Sequence, residues 1–145
     1  MNAIIENLEL IGKVIVSYSK DNNGKLPLAN NWCDILMKYD NSLKMENFRH
    51  PKYKGIVIAF NRNLSGMDIN DIPKDTILLS EAKGEWNVSG DEELLRNIDS
   101  NRLYAIVLYV DQRLDTYWLT QKMSRSKVLN YFDSPKFIAP LKWKP

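Results

Sequence analysis

The chain has one thiol, Cys33, and one imidazole, His50. They are the only pair that could supply a sulfur nucleophile and its base. A cysteine reacts as the thiolate and needs a histidine, a cation or a helix N-terminus beside it. Cys33 falls in the first turn of an expected short helix, which favours the thiolate slightly. A lone cysteine on a mixed helix face is, however, the ordinary mark of packing. A Cys33-dependent enzyme is therefore the weakest of the readings considered, and the chain is read as non-enzymatic. Asp68, Asn70, Asp71 and Asp75 share one loop. Hard oxygen ligands at such spacing could hold Ca²⁺, which wants about six to eight of them. The glycine and terminal glutamate of a calcium-binding helix–loop–helix are missing, and Asp and Asn in a loop commonly cap backbone N–H groups. No cofactor is expected, with Ca²⁺ the one candidate.

Trp86, Tyr104, Tyr109, Tyr117, Trp118 and Trp143, interleaved with Arg102, Arg113 and Lys142, could stack on bases or sugars. Aromatics are equally at home packing in strands, so nucleic acid is not favoured as a partner. No glycine-rich phosphate loop, dinucleotide fingerprint, zinc-protease motif or paired-cysteine motif is present. Glu81 and Asp111 could stand at adjacent strand ends, but spacing alone does not pair them.

The elements that would position these groups follow from composition and periodicity. The chain has 145 residues and 16.9 kDa, enough for one domain spanning 1–145. Its 44% hydrophobic and 26% charged residues suit a globular protein. A net charge of +2 is too small to argue for nucleic acid or a membrane surface. Lys122, Arg125, Lys127, Lys136, Lys142 and Lys144 stand against Asp133 alone near the C-terminus and read as a solvated face. The longest apolar run, Tyr104 to Val110, is far short of the roughly 20 residues of a membrane span. No signal-peptide pattern opens the chain. The expectation is a cytoplasmic protein if the chain is complete as written, or a cell-envelope protein if an anchor has been removed.

Ile4, Leu8, Ile11, Ile15 and Tyr18 recur at spacings of 4, 3, 4 and 3, one stripe of an α-helix over about residues 3–20. Asp21-Asn22-Asn23-Gly24 stops it, since Asn and Gly tolerate a left-handed cap. Trp32, Ile35, Leu36 and Tyr39 predict a second, shorter helix. Strands are expected near 56–60, 76–80, 102–111 and 115–120, within a sheet region of about 56–120. Short helices are expected over about 90–97 and 124–132. The Pro-rich tail, about 133–145, should lie over the surface. Helices first and strands after, without regular alternation, argue an α+β fold with an antiparallel sheet of about four strands.

Several short segments, in order, resemble one family. They are Asn7 to Tyr18 with Asp21-Asn22-Asn23-Gly24 and Pro27; Trp32 with Leu36; Phe48-Arg49-His50-Pro51; Phe60 to Gly66; Ile72-Pro73 to Glu81; and Val107 to Tyr117. Together they are similar to the region after the membrane anchor in type IV pilin-like proteins, especially the pseudopilin-like, planctomycete-type prepilin family. The resemblance covers about residues 4–120. The chain departs from it at the N-terminus, which shows neither the processing site nor the apolar half-helix. His50 stands where the family usually has Cys. Asn101 and Asp111-Gln112 stand where many members have a His followed ten residues later by Asp-Gly.

The resemblance implies a long N-terminal helix packed on an antiparallel sheet. It also implies a structural, non-enzymatic role: a subunit of a type IV pilus or type II secretion filament, acting by self-assembly or by contact with protein partners. Ile4, Ile5, Leu8 and Ile11 would be the interaction residues. A trimmed filament subunit would leave apolar surface near Ala3, Ile4 and Ile5. A chain that works without an anchor would cover that end, with the tail residues Phe137, Ile138, Leu141 and Trp143 as the candidate cover. The alternative role is a cytoplasmic ligand- or protein-binding module that reuses the same fold.

Overall fold

The structure, a computed structural model, describes residues 3–98, 102, 104–119 and 141–145. The expected helix over 124–132, Asn101, Phe137, Ile138 and the cations Lys122, Arg125, Lys127 and Lys136 lie outside the described residues.

Helix α1 runs Ala3–Asp21, as the stripe predicts. Ile4, Leu8, Ile11 and Ile15 have no exposed surface. Its end is built by the Asn-Gly signal. Gly24 N–H returns to Ser19 O at 2.7 Å, with Asn23 at φ 59° and Gly24 at φ 84°. Helix α2 is Trp32–Tyr39 and buries Trp32, Cys33 and Leu36. Short 3-10 turns at Met45–Phe48, Arg62–Leu64 and Ile69–Asp71 carry the chain between elements.

The sheet has five strands: β1 (Ile56–Asn61), β2 (Ile77–Lys83), β3 (Ser89–Gly90), β4 (Tyr104–Tyr109) and β5 (Leu114–Trp118). Their spatial order is β3-β1-β2-β4-β5. The β1-β2, β2-β4 and β4-β5 pairs are antiparallel, while β3 lies parallel to β1. The fold is therefore α+β with an N-terminal helix and a five-stranded mixed sheet, which corrects the expected all-antiparallel sheet of about four. The extra strand is two residues long, and tertiary contact with β1 makes it. The helix expected over 90–97 shrinks accordingly to α3, Glu93–Arg96.

Alternation along the strands splits the core in two. One face turns Ile58, Phe60, Leu79, Ile106 and Leu108 towards α1 and α2. The other turns Ala59, Ala105, Val107 and Tyr109 towards α3 and the C-terminal segment. Trp143 is 6% exposed there, and the backbone carbonyls of Lys142 and Trp143 accept from Ile77 N–H and Asn61 Nδ2 at 2.8 and 2.7 Å. Of the tail's apolar residues, Leu141 and Trp143 are described, and both pack on the sheet. In its described part the tail docks on the sheet face opposite α1, and not over the start of α1.

Candidate functional site

The chemistry concentrates at one end of the sheet, where β2 leaves its pairing with β4. Glu81 sits there with no exposed surface, opposite Ile58 on the helix-facing side. Its Oε2 accepts from Ile106 N–H at 2.8 Å. The carboxylate thus takes a backbone donor just beyond the last paired residues, Ser80 and Val107. Removing a carboxylate from water costs several kcal/mol unless a cation and hydrogen bonds replace the lost hydration. Arg102 supplies both. Its Nη2 donates to Oε2 at 3.1 Å, and its Nη1 lies 3.1 Å from Oε1. One contact is a hydrogen bond and the other a close charge pair whose two atoms, Glu81 Oε1 and Arg102 Nη1, have no hydrogen-bond partner of their own among the described residues.

His50 approaches the same carboxylate from the loop that leads into β1, with Nε2 3.6 Å from Glu81 Oε1. Its Nδ1 accepts from the backbone N–H groups of Lys52 and Tyr53 at 3.0 and 3.1 Å. A nitrogen that accepts two N–H groups has no room for a proton, so the ring is neutral with its hydrogen on Nε2. Burial holds its pKa below the ordinary value, against the pull of Glu81. Tyr53 completes the cluster. Its ring lies 4.7 Å from the imidazole and 4.8 Å from the Arg102 guanidinium carbon.

Outside this anchor lies a cleft of about 600 Å³. One wall is the loop Arg49 to Gly55, and the facing wall is Gly84, Glu85 and Trp86. The loop is held by more than His50. Its backbone bonds run from His50 N–H to Ile56 O at 2.8 Å, from Ile56 N–H to Tyr53 O at 3.2 Å, and from Gly84 N–H to Gly55 O at 3.0 Å. Gly55, at φ 83°, makes the reversal into β1 that a side chain would strain.

The residues singled out in the sequence fall in separate places. Cys33 lies in the helix-side core, and burial pushes its thiol up to about 12. Its backbone N–H donates to Asn87 Oδ1 at 2.8 Å, and both His50 nitrogens face other partners. The structure does not bring thiol and imidazole together. Asp68 Oδ1 accepts from Asn70 N–H and Nδ2 at 2.9 and 3.1 Å, capping the turn Ile69–Asp71. Asp75 turns instead towards Lys142 Nζ, 3.5 Å away. Among the described residues no three His, Cys, Asp or Glu side chains gather as a metal set.

Ile4, Leu8 and Ile11 are buried in the chain's own core, and Ile5 is half-buried beside it. The aromatics do not form one platform. Trp86 stands edge-on to Phe48 at 5.3 Å on the helix side, while Tyr109, Tyr117 and Trp143 pack on the far face. Asp111 pairs with Arg113 at 2.7 Å rather than meeting Glu81. Spacing missed the Glu81–Arg102–His50 cluster. The available signal was a glutamate inside the apolar run Ile77-Leu78-Leu79-Ser80-Glu81-Ala82, because a charge at a buried strand position requires a partner.

Among the described residues no helix is long and apolar enough to cross a membrane. No protein-family model, curated protein or solved structure matches the chain.

Proposed function

We propose that the chain is a non-enzymatic, pilin-like head domain that works by assembly with copies of itself through the outer face of α1. The observation that carries this reading is the make-up of that face. With the apolar stripe committed to the core, α1 presents Ala3, Glu6, Glu9, Leu10, Lys13, Ser17 and Lys20 outwards. Glu6 and Glu9 occupy the first half and Lys13 and Lys20 the second, Leu10 stands 38% exposed between them, and the one acid at the far end, Asp21, accepts from the Tyr39 hydroxyl at 2.6 Å. This polarity suits the helix dipole. It also lets the Glu6/Glu9 end of one copy lie beside the Lys13/Lys20 end of another when two parallel helices are offset by about 10 Å (Glu6 to Lys13) to about 16 Å (Glu9 to Lys20). The antiparallel run β1-β2-β4-β5 beneath α1 agrees with the sheet of the family the sequence resembles. The Cys33 thiol, buried and with its pKa raised by that burial, is in keeping with a role without covalent chemistry.

Charge reversal followed by rescue tests the reading. Glu6→Lys with Glu9→Lys should abolish amine–carboxyl cross-linking between copies, and mixing with the Lys13→Glu, Lys20→Glu chain should restore it. Cross-linking unaffected by either pair of substitutions would refute assembly through α1.

A further inference from the structure

The segment Arg49-His50-Pro51-Lys52-Tyr53-Lys54-Gly55 carries three permanent cations and no acid, in a chain whose charges otherwise nearly balance. Arg49, Lys52 and Lys54 are all exposed, and among the described residues none of them forms an ion pair. A solvated face normally mixes both signs. The loop is also not a loose one. The imidazole accepting two successive N–H groups, the three backbone bonds at its base, and Tyr53 set between His50 and Arg102 all fix its course. Two of the groups that hold it, His50 and Arg102, stand in turn against the buried Glu81 carboxylate. A buried ion pair is costly to maintain, and here it holds a basic loop in one shape. A shape fixed in advance lowers the entropy lost on binding.

The cleft beside the loop narrows the ligand. It is open to solvent along one side and lined by Tyr53, 43% exposed, and by half-buried Trp86, with Glu85 as its one acid. A small molecule would need most of its surface enclosed, and an open trough gives that to none. Three cations spread along a trough with two aromatic rings suit an extended chain that offers carboxylates and an apolar side chain in turn. A polyphosphate duplex would want a broader basic field than three cations in a chain of net charge +2.

We propose that the cleft between loop 49–55 and residues 84–86 is a docking site for an acidic, extended segment of a partner protein. Arg49, Lys52 and Lys54 would receive its carboxylates, and Tyr53 with Trp86 an apolar side chain between them. The proposal shares with the assembly reading only the idea that the ligand is a protein, because the two use different surfaces.

The test uses the full chain and four probes at low salt: a fluorescein-labelled peptide of alternating glutamate and leucine, its glutamine counterpart, oligothymidylate, and phosphatidylserine vesicles. Fluorescence anisotropy should show saturable binding of the glutamate peptide, weakened by added salt, and none of the glutamine peptide. The Lys52→Glu, Lys54→Glu chain should bind about tenfold or more weakly. Lys25→Glu, an exposed lysine away from the cleft, should bind as the parent does. Absence of saturable binding, or binding equal in the double variant, overturns the proposal. Tighter capture of oligothymidylate or vesicles overturns it in favour of that class. A peptide that binds while α1 cross-linking fails refutes the assembly reading and leaves the cleft standing; the converse outcome refutes the cleft alone.

Discussion

Glu81 lies between Ser80 and Ala82 in a strand whose first six residues are all buried. Its Oε2 accepts from the Arg102 guanidinium and from Ile106 N–H, while Oε1 makes no hydrogen bond among the described residues and has only the nearby charge of Arg102 Nη1 at 3.1 Å and the imidazole at 3.6 Å. Such a group is tolerated only beside a counter-charge. Glu81→Gln keeps the shape but leaves the Arg102 charge buried without its counter-charge. It should cost about 3–5 kcal/mol in urea unfolding, and a loss below about 1 kcal/mol would show that the pair is not the anchor described.

His50 makes a second prediction at this scale. Its folded pKa lies below the ordinary value of 6.5, chiefly through burial. Between the folded pKa and 6.5 the unfolded chain therefore binds more protons than the folded one. Stability is full above 6.5 and falls as pH drops through that window. His50→Asn keeps an acceptor near the Nδ1 position and does not titrate. Melting temperature should fall for the parent from about pH 7.5 to 5.5, and less steeply for the variant. Equal slopes would mean that His50 does not titrate in that window. The sequence marked His50 only because it is the one imidazole. Its partners could not be read there, since Glu81 and Arg102 lie 31 and 52 residues further along and meet it only through the sheet.

At the scale of elements, α1 was the most legible part. Its stripe predicts the buried set, and its Asn-Gly stop gives the end to within a residue. What periodicity could not show is how closely the helix approaches the sheet. Gly12 sits on the buried side, where a Cβ would come within 2.4 Å of Leu108 Cδ2 and 2.5 Å of Gln112 Oε1. Gly12→Ala should therefore cost about 1–3 kcal/mol, against the usual gain of alanine over glycine in a helix. Combining it with Gln112→Ala should recover only part of the loss, because Leu108 is fully buried and cannot swing away. A Gly12→Ala chain as stable as the parent, measured by thermal unfolding, would mean that the helix can ride further from the sheet. Strands β1, β2 and β4 were legible as apolar runs. Strand β3 was not, since Ser89-Gly90 has no strand character of its own and pairs only because Phe60 and Asn61 lie alongside.

Across the whole molecule, one sheet face is covered by α1 with α2 and the other by α3 with the C-terminal segment. The apolar tail residues predicted docking, but the choice of face depends on Asn61. Its amide bridges Ile77 O and Trp143 O at 2.8 and 2.7 Å, a contact no linear pattern announces. Trp143→Ala should cost about 3–5 kcal/mol and speed proteolysis of the tail; an unchanged melting curve would mean that the docking is incidental.

Assembly through α1 is a property of the intact particle. Sedimentation equilibrium of the full chain over a wide concentration range is its most direct test. The weight-average mass should rise reversibly above 16.9 kDa with concentration. Leu10→Glu, on the exposed face of α1, should abolish the rise while leaving the melting curve unchanged. A mass that stays at 16.9 kDa at every concentration, or a rise that Leu10→Glu does not touch, would contradict assembly through α1.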